Sequence, residues 1–347
     1  MVEEEERRRA TVHDVARKAG VSLATVDRVL NARPGVRPAT AQKVEEAIAA
    51  LDFRRDLSAS LLARSRDLNL SFLIPDGANE FMDNLEAALR RRMRAAAAER
   101  LRIEVLRLRA LDAGDLAGRL DALSKRTCDC VVIVATEDPA VVRAVDSALR
   151  RGIEVMTLVS DLPGSSRRQF VGIDNVAAGR TAAALMGRFC PPDGKVAVIA
   201  GSLGLRDHLE RLEGFLAAMA EDFPHLSVIG PFEGQDERMA TEALTRTLLK
   251  SHHDLSGLYN LGAGNAGLLA ALEGCGRRDR IRVIAHEVTE PTRRGLAAGL
   301  IDVVLDQNPD AEIGAAIDAA RVLAQHGPAA LDGGRIEIGI FLRDNLR

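Results

Sequence analysis

At the start of the chain apolar residues recur at helical rather than strand spacing. Val12, Val15, Ala16 and Ala19 fall on one face of a short helix. Thr11 stands where an N-cap belongs, and Asp14 three residues on closes a capping box. Gly20 lets the chain turn, and Ser22 caps a second helix running to about Leu30. Val26, Val29 and Leu30 form its buried stripe, while Leu23, Ala24, Asp27 and Arg28 point the other way. A helix buried on one side, with small and polar groups on the other, suits the major groove of DNA. After the turn Arg33-Pro34-Gly35, a third helix is expected over Pro38–Leu51, with Ala41, Val44, Ile48 and Leu51 inward. The pattern is that of a helix-turn-helix.

From Leu68 onward short apolar runs alternate with helical stretches. Strands are expected at Leu70–Pro75, Ile103–Leu108, Cys130–Ala135, Val155–Val159, Val196–Ala200, Leu226–Gly230, Gly257–Asn260, Ile281–Ala285 and Ile301–Asp306. Helices such as Asn84–Glu99 and Glu210–Glu221 sit between most of them. Such alternation gives parallel sheets covered on both faces. There are more units than one compact sheet holds. The expected fold is therefore an all-α helix-turn-helix head on an α/β body of two doubly wound parallel-sheet subdomains. A ligand cleft should lie between them, outside the carboxyl ends of the strands. The boundaries read as a disordered tail over 1–10, the head over 11–55, a hinge helix or linker over 56–67, and an effector-binding and dimerisation body over 68–347.

Charge sharpens this division. The net charge of −3 argues against nucleic acid taken alone, but it is unevenly placed. Residues 7–66 carry 13 Lys and Arg against six Asp and Glu, whereas residues 67–347 carry 34 against 40. A basic head on an acidic body puts a phosphate-attracting field at the helix-turn-helix. With no Trp and one Tyr (Tyr259), the cores must be aliphatic. The four cysteines form no framework. Cys128 and Cys130 are expected to share one face at the start of a strand, and all four read as reduced thiols. No metal site and no cofactor are expected. No export signal opens the chain and no apolar run reaches membrane-spanning length, which reads as a cytoplasmic protein with no membrane partner.

The stretch TVHDVARKAGVSLATVDRVLN at Thr11–Asn31 resembles the head of the lactose-repressor (LacI/GalR) family of bacterial transcription regulators. It differs at one prominent place, Asp27 for the usual Ser. The resemblance implies DNA contacts from Thr11, Ser22, Leu23, Ala24, Thr25, Asp27, Arg28 and Asn31. It also implies a linker helix that wedges Leu62 into the minor groove. There Arg55-Asp56 replaces the family's usual Pro-Asn, and a dimer or core contact competes as the reading of Leu61-Leu62. The body resembles the family's effector domain, related to periplasmic sugar-binding proteins. It does so through Asn79-Glu80-Phe81, DLPGSSRRQFVGIDNVAAGR at Asp161–Arg180, RLEGF at Arg211–Phe215 and DQNP at Asp306–Pro309. The whole then implies a homodimeric, operator-binding regulator, a repressor rather than an enzyme, controlled by a small effector.

Binding a sugar or polyol takes hydroxyl acceptors, a fork of donors and an apolar surface. The positions that match the family are Phe81 for stacking, Arg211, Asn260, Glu287 in place of the commoner Asp, and Gln307. Val159 stands where Asp is frequent, leaving Ser160 and Asp161 as substitutes. Two other effectors stay open. A purine would call for aromatic stacking on both faces, which a chain this poor in rings disfavours. A nicotinamide dinucleotide is suggested by Gly262-Ala263-Gly264-Asn265-Ala266-Gly267, a G-x-G-x-x-G after a strand, with Glu287 further on.

Overall fold

The computed structural model describes residues 12–30, 37–51, 67–77, 79–96, 99–326, 328 and 334–346. Thr11, Asn31, the tail and most of the linker, including Leu62, lie outside the described residues, as do the side chains of Ala24 and Asp27. Two compact units are present, Met1–Asp67 and Leu68–Arg347.

In the first unit α1 (Val12–Ala19) ends where expected. Gly20 takes φ +65°, a left-handed conformation that suits a residue without Cβ. The N–H of Val21 then bonds the carbonyl of Ala16 at 3.1 Å, and that of Gly20 bonds Arg17 at 3.4 Å. These are the two bonds of a Schellman stop. Ser22 caps α2 (Leu23–Leu30), its Oγ accepting from the N–H of Thr25 at 3.2 Å. With α3 (Pro38–Ala50), these helices bury Val15, Ala16, Val26, Val44 and Ala47 together, and Ile48 and Leu51 pack against that cluster.

The second unit holds two lobes. The first contains β1 (Leu68–Asp76), α4 (Glu80–Ala96), β2 (Leu101–Arg109), α5 (Ala113–Ala122), β3 (Cys130–Ile133), α6 (Pro139–Arg150), β4 (Glu154–Leu158) and β5 (Gln169–Ile173). The second contains α7 (Asn175–Phe189), β6 (Lys195–Ala200), α8 (Arg206–Asp222), β7 (Ser227–Glu233), α9 (Arg238–Ser251) and β8 (Leu255–Asn260). It continues with α10 (Asn265–Glu273), β9 (Arg282–His286), α11 (Glu290–Ala297) and β10 (Val303–Asp306). The long helix α12 (Pro309–His326) returns to the first lobe, β11 (Arg335–Ile336) joins its sheet, and β12 (Gly339–Phe341) joins the second sheet. The strand orders are β11-β5-β4-β3-β1-β2 and β12-β10-β9-β8-β6-β7. The two sheets are thus doubly wound, as the alternation of apolar runs predicts.

Each sheet is buried on both faces. α4 and α12 cover one face of the first sheet, and α5 and α6 cover the other. α7 and α8 cover one face of the second sheet, with α9, α10 and α11 opposite. Three findings depart from expectation. β5 and the short β11 are added strands, and β12, also added, runs antiparallel to β10 at the sheet edge, a common ending for an otherwise parallel sheet. Cys128 precedes β3 instead of starting it, and packs in the cluster under α5 and α6, whereas Cys130 packs on the α4 side. All four cysteines are free thiols.

Candidate functional site

The head presents a small outward face on α2. Leu23, which apolar burial would normally hide, is 42% exposed, while Val26 two residues beyond Ala24 is fully buried. Arg28 is exposed at the last turn, and Ser22 Oγ lies 2.9 Å from Thr25 Oγ1. An exposed leucine and an exposed arginine, on a helix whose Val26 is buried, are what groove reading asks for.

A cluster of buried polar side chains lies at the carboxyl ends of the second sheet. Asn260 ends β8, Glu287 directly follows β9, and Gln307 directly follows β10. Arg211 reaches them from α8 and is only 1% exposed. Its Nε donates to Asn175 Oδ1 and its Nη1 to the carbonyl of Leu261, both at 2.9 Å. Its remaining nitrogen, Nη2, lies 3.6 Å from Glu287 Oε1 and 3.9 Å from Asp207 Oδ2. Gln307 Nε2 donates to Glu287 Oε1 at 2.7 Å. Behind them Tyr259 and His286 share a 2.9 Å hydrogen bond in the core. Glu312, in the first turn of α12, is completely buried and in electrostatic reach of Glu287, Arg211, Asp306 and Asp207.

Buried polar atoms are normally all paired. Here Asp207 Oδ1, Arg211 Nη2, Asn260 Oδ1, His286 Nδ1, Glu287 Oε2, Gln307 Oε1 and both Glu312 oxygens have no partner. Burial pushes the Glu287 carboxyl up to about 8, against the pull of Arg211. Burial, and then Glu287, drive Glu312 well above the usual carboxylate range. Burial holds His286 well below its ordinary value, hence neutral. Glu287 also adopts φ +70°, rare for a residue with a Cβ. Open groups, shifted carboxyls and an unusual backbone in one place mark a site.

The glycine-rich loop looks different in three dimensions. A Cβ on Gly267 would sit 2.0 Å from the carbonyl of Arg238, so α10 packs on α9 backbone to backbone. One on Gly264 would sit 2.2 Å from Thr241 Oγ1. The N–H of Ala263 is taken by Asp236 Oδ1 at 2.7 Å. Packing against α9 accounts for these glycines, and the chain's own carboxylate stands where a phosphate would need the amide.

Comparison with known proteins agrees with both halves. Residues 11–56 match the model of bacterial regulatory proteins of the lacI family, and residues 70–328 match the periplasmic binding protein domain. The chain thus carries a lacI-family head at residues 11–56. Its body belongs to the periplasmic binding protein domain family. Curated relatives include catabolite control protein A of Priestia megaterium, 44% identical over 22% of this chain and 23% of that protein. The same protein of Staphylococcus xylosus is 42% identical over 23% and 24%. The chain thus spans about a quarter of the length of the curated relatives it matches. Among solved structures, a Burkholderia graminis ABC transporter solute binding protein in complex with D-arabinose gives a TM-score of 0.74. It is 24% identical, over 81% of this chain and 96% of that one. A glucose-galactose binding protein from Geobacillus stearothermophilus gives 0.73 at 20% identity, over 81% and 99%. These likenesses concern the fold.

Within this periplasmic-binding-protein body, Arg211, Asn260, Glu287 and Gln307 come together in the second lobe. Ser160 is buried at the end of β4, and its Oγ accepts from the N–H of Arg206 on α8 at 3.1 Å, bridging the lobes. Asp161 is committed within the first lobe to Arg167, Thr157 and the N–H of Leu162. Burial raises its carboxyl, but these bonds outweigh burial and the net shift is downward. Phe81 is 4% exposed in the first-lobe core, beside Leu85. The structure adds Asp207 and Glu312 to the cluster. Asp207, one helical turn before Arg211, was within reach of sequence reasoning. Glu312 was not, because its approach depends on where α12 starts.

Proposed function

We propose that this chain is a DNA-binding transcription regulator, a repressor acting as a homodimer, whose operator affinity is set by a small carbohydrate or polyol effector. The carrying observation is the set of unpartnered buried atoms on Asp207, Arg211, Asn260, Glu287, Gln307 and Glu312 at the strand ends of the second lobe. Hydroxyls satisfy carboxylates, carboxamides and a guanidinium at once. The fold neighbours support this class, since one is described with D-arabinose and another as a glucose-galactose binder. Operator contact is assigned to α2 and its flanks: Ser22, Leu23, Ala24, Thr25, Asp27 and Arg28, with Thr11, Asn31 and Leu62. A dimer presents two such helices about a twofold axis, so the operator should be near-palindromic. The site is read as one that binds and does not transform its ligand.

The test is a thermal-shift screen of monosaccharides and polyols, followed by operator binding with each hit. A ligand selective for the folded state raises the melting temperature by mass action. The expected result is at least one hit that also changes operator affinity. No stabilising compound from either neutral or amino-substituted carbohydrates would defeat the reading.

A further inference from the structure

We propose that the effector carries a positively charged amine, as an amino sugar or amino polyol does, and that Glu312 is the residue that meets the ammonium. This narrows the carbohydrate reading above and rests on it.

The first ground is charge. Asp207, Glu287 and Glu312 are 4%, 5% and 0% exposed, and they share one guanidinium, Arg211. That guanidinium already donates to Asn175 and Leu261. Asp306, next in line, has its own donors in the N–H groups of Val288 and Asn308. Glu312 has none: both its oxygens are buried and unpartnered. Around it stand Glu287, Asp306 and Asp207, together with the Arg211 guanidinium. A carboxyl so placed either keeps a proton or takes a cation from outside.

The second ground is the count of hydrogen-bond donors and acceptors left open. With both glutamates ionised, the open atoms comprise six acceptors, on Asp207, Asn260, Glu287, Gln307 and Glu312, against one donor, Arg211 Nη2. A hydroxyl brings one donor and two acceptor lone pairs, so a ligand built of hydroxyls alone adds acceptors where acceptors already exceed donors. An ammonium brings three donors and no acceptor. A metal ion would also bring charge, but among the described residues no group of three or more His, Cys, Asp or Glu could hold one. The organic cation is the better match. Its arrival would expel the proton that the empty pocket keeps on Glu312.

The experiment uses the full chain in calorimetric titrations at neutral pH. The ligands are matched pairs: D-glucose with D-glucosamine, D-galactose with D-galactosamine, D-mannose with D-mannosamine, and glycerol with 3-amino-1,2-propanediol. The N-acetyl sugars control for size without charge. The expectation is that one amine binds at least about tenfold tighter than its hydroxyl counterpart. The heat should depend on the buffer in the sense of proton release. Glu312→Gln should erase the preference for the amine over its hydroxyl counterpart. A hydroxyl compound that outbinds its amine in the wild type, or a preference that survives Glu312→Gln, would overturn the proposal and leave the carbohydrate reading standing. If no compound of either series binds, both fall. Proton release is read on the wild type, so a poorly folding variant does not remove the test.

Discussion

Glu287 combines a left-handed backbone, φ +70°, with a buried carboxyl. Such a backbone costs about 1–3 kcal/mol at a residue other than glycine, and the surrounding packing must sustain it. Its carboxyl, pushed up to about 8 by burial despite Arg211, stays protonated while the unfolded chain ionises near 4.5. Stability from this group is therefore full below about pH 4.5 and lost as pH rises through 8, at about 1 kcal/mol per pH unit. Glu312 acts in the same direction. His286, kept neutral by burial, opposes them only below 6.5, where the unfolded ring gains its proton. Between 6.5 and 8 the carboxyls set the slope. Urea midpoints of the wild type should fall across that window, and Glu287→Gln should flatten the fall by about 1 kcal/mol per pH unit. A mutant slope equal to the wild type's would mean that Glu287 is ionised in the native state. In the head, Arg28→Ala should cost about 1–3 kcal/mol on the operator and little on random DNA. Equal losses on both would make Arg28 a phosphate contact.

At the scale of elements, the site depends on how closely α7 and α8 approach. A Cβ on Gly214 would sit 2.1 Å from the carbonyl of Val176, and one on Gly179 would sit 2.0 Å from the carbonyl of Arg211. The glycines let the two backbones touch, and that contact seats Arg211 under the strand ends. Gly214→Ala should cost about 1–3 kcal/mol by overpacking and also weaken effector binding, because Arg211 rides on the helix that must move. Denaturant titration and calorimetry together would show it; a stability loss with unchanged affinity would separate the packing from the site. Much of this was legible beforehand. The head's period, its caps and the alternation of strands and helices announce themselves over single windows of sequence. Asn260, Glu287 and Gln307 were legible because strand ends are where parallel sheets hold ligands. β5 was missed because it is only five residues long and its first two are only half-buried. Glu312 was missed because spacing along one helix cannot tell which lobe's carboxyls the first turn will meet. The glycine loop reads two ways for a related reason, since a tight helix contact and a phosphate cradle both call for the same residue.

Across the whole molecule, the proposed function makes operator and effector two ligands of one chain. Whatever factor an effector takes from operator affinity, the operator takes from effector affinity. Titrating the effector with and without operator therefore measures the same coupling twice. The body is not made of two successive pieces. The chain leaves the first lobe at 173–175, re-enters it at 306–309 and leaves again at 336–339. One face of the first sheet is closed by Ile313, Ala316, Ile317, Ala320 and Leu323 of α12, packed in a single cluster with Phe72, Leu85 and Met156. On the ribosome the first lobe is accordingly begun early and finished late. Its strands emerge and wait, with an apolar face still wet, while the whole second lobe is translated. A chain stalled before α12 would carry a nearly complete second sheet beside an unroofed first one. Of the two lobes, the one made first is the one a chaperone would have to hold longest.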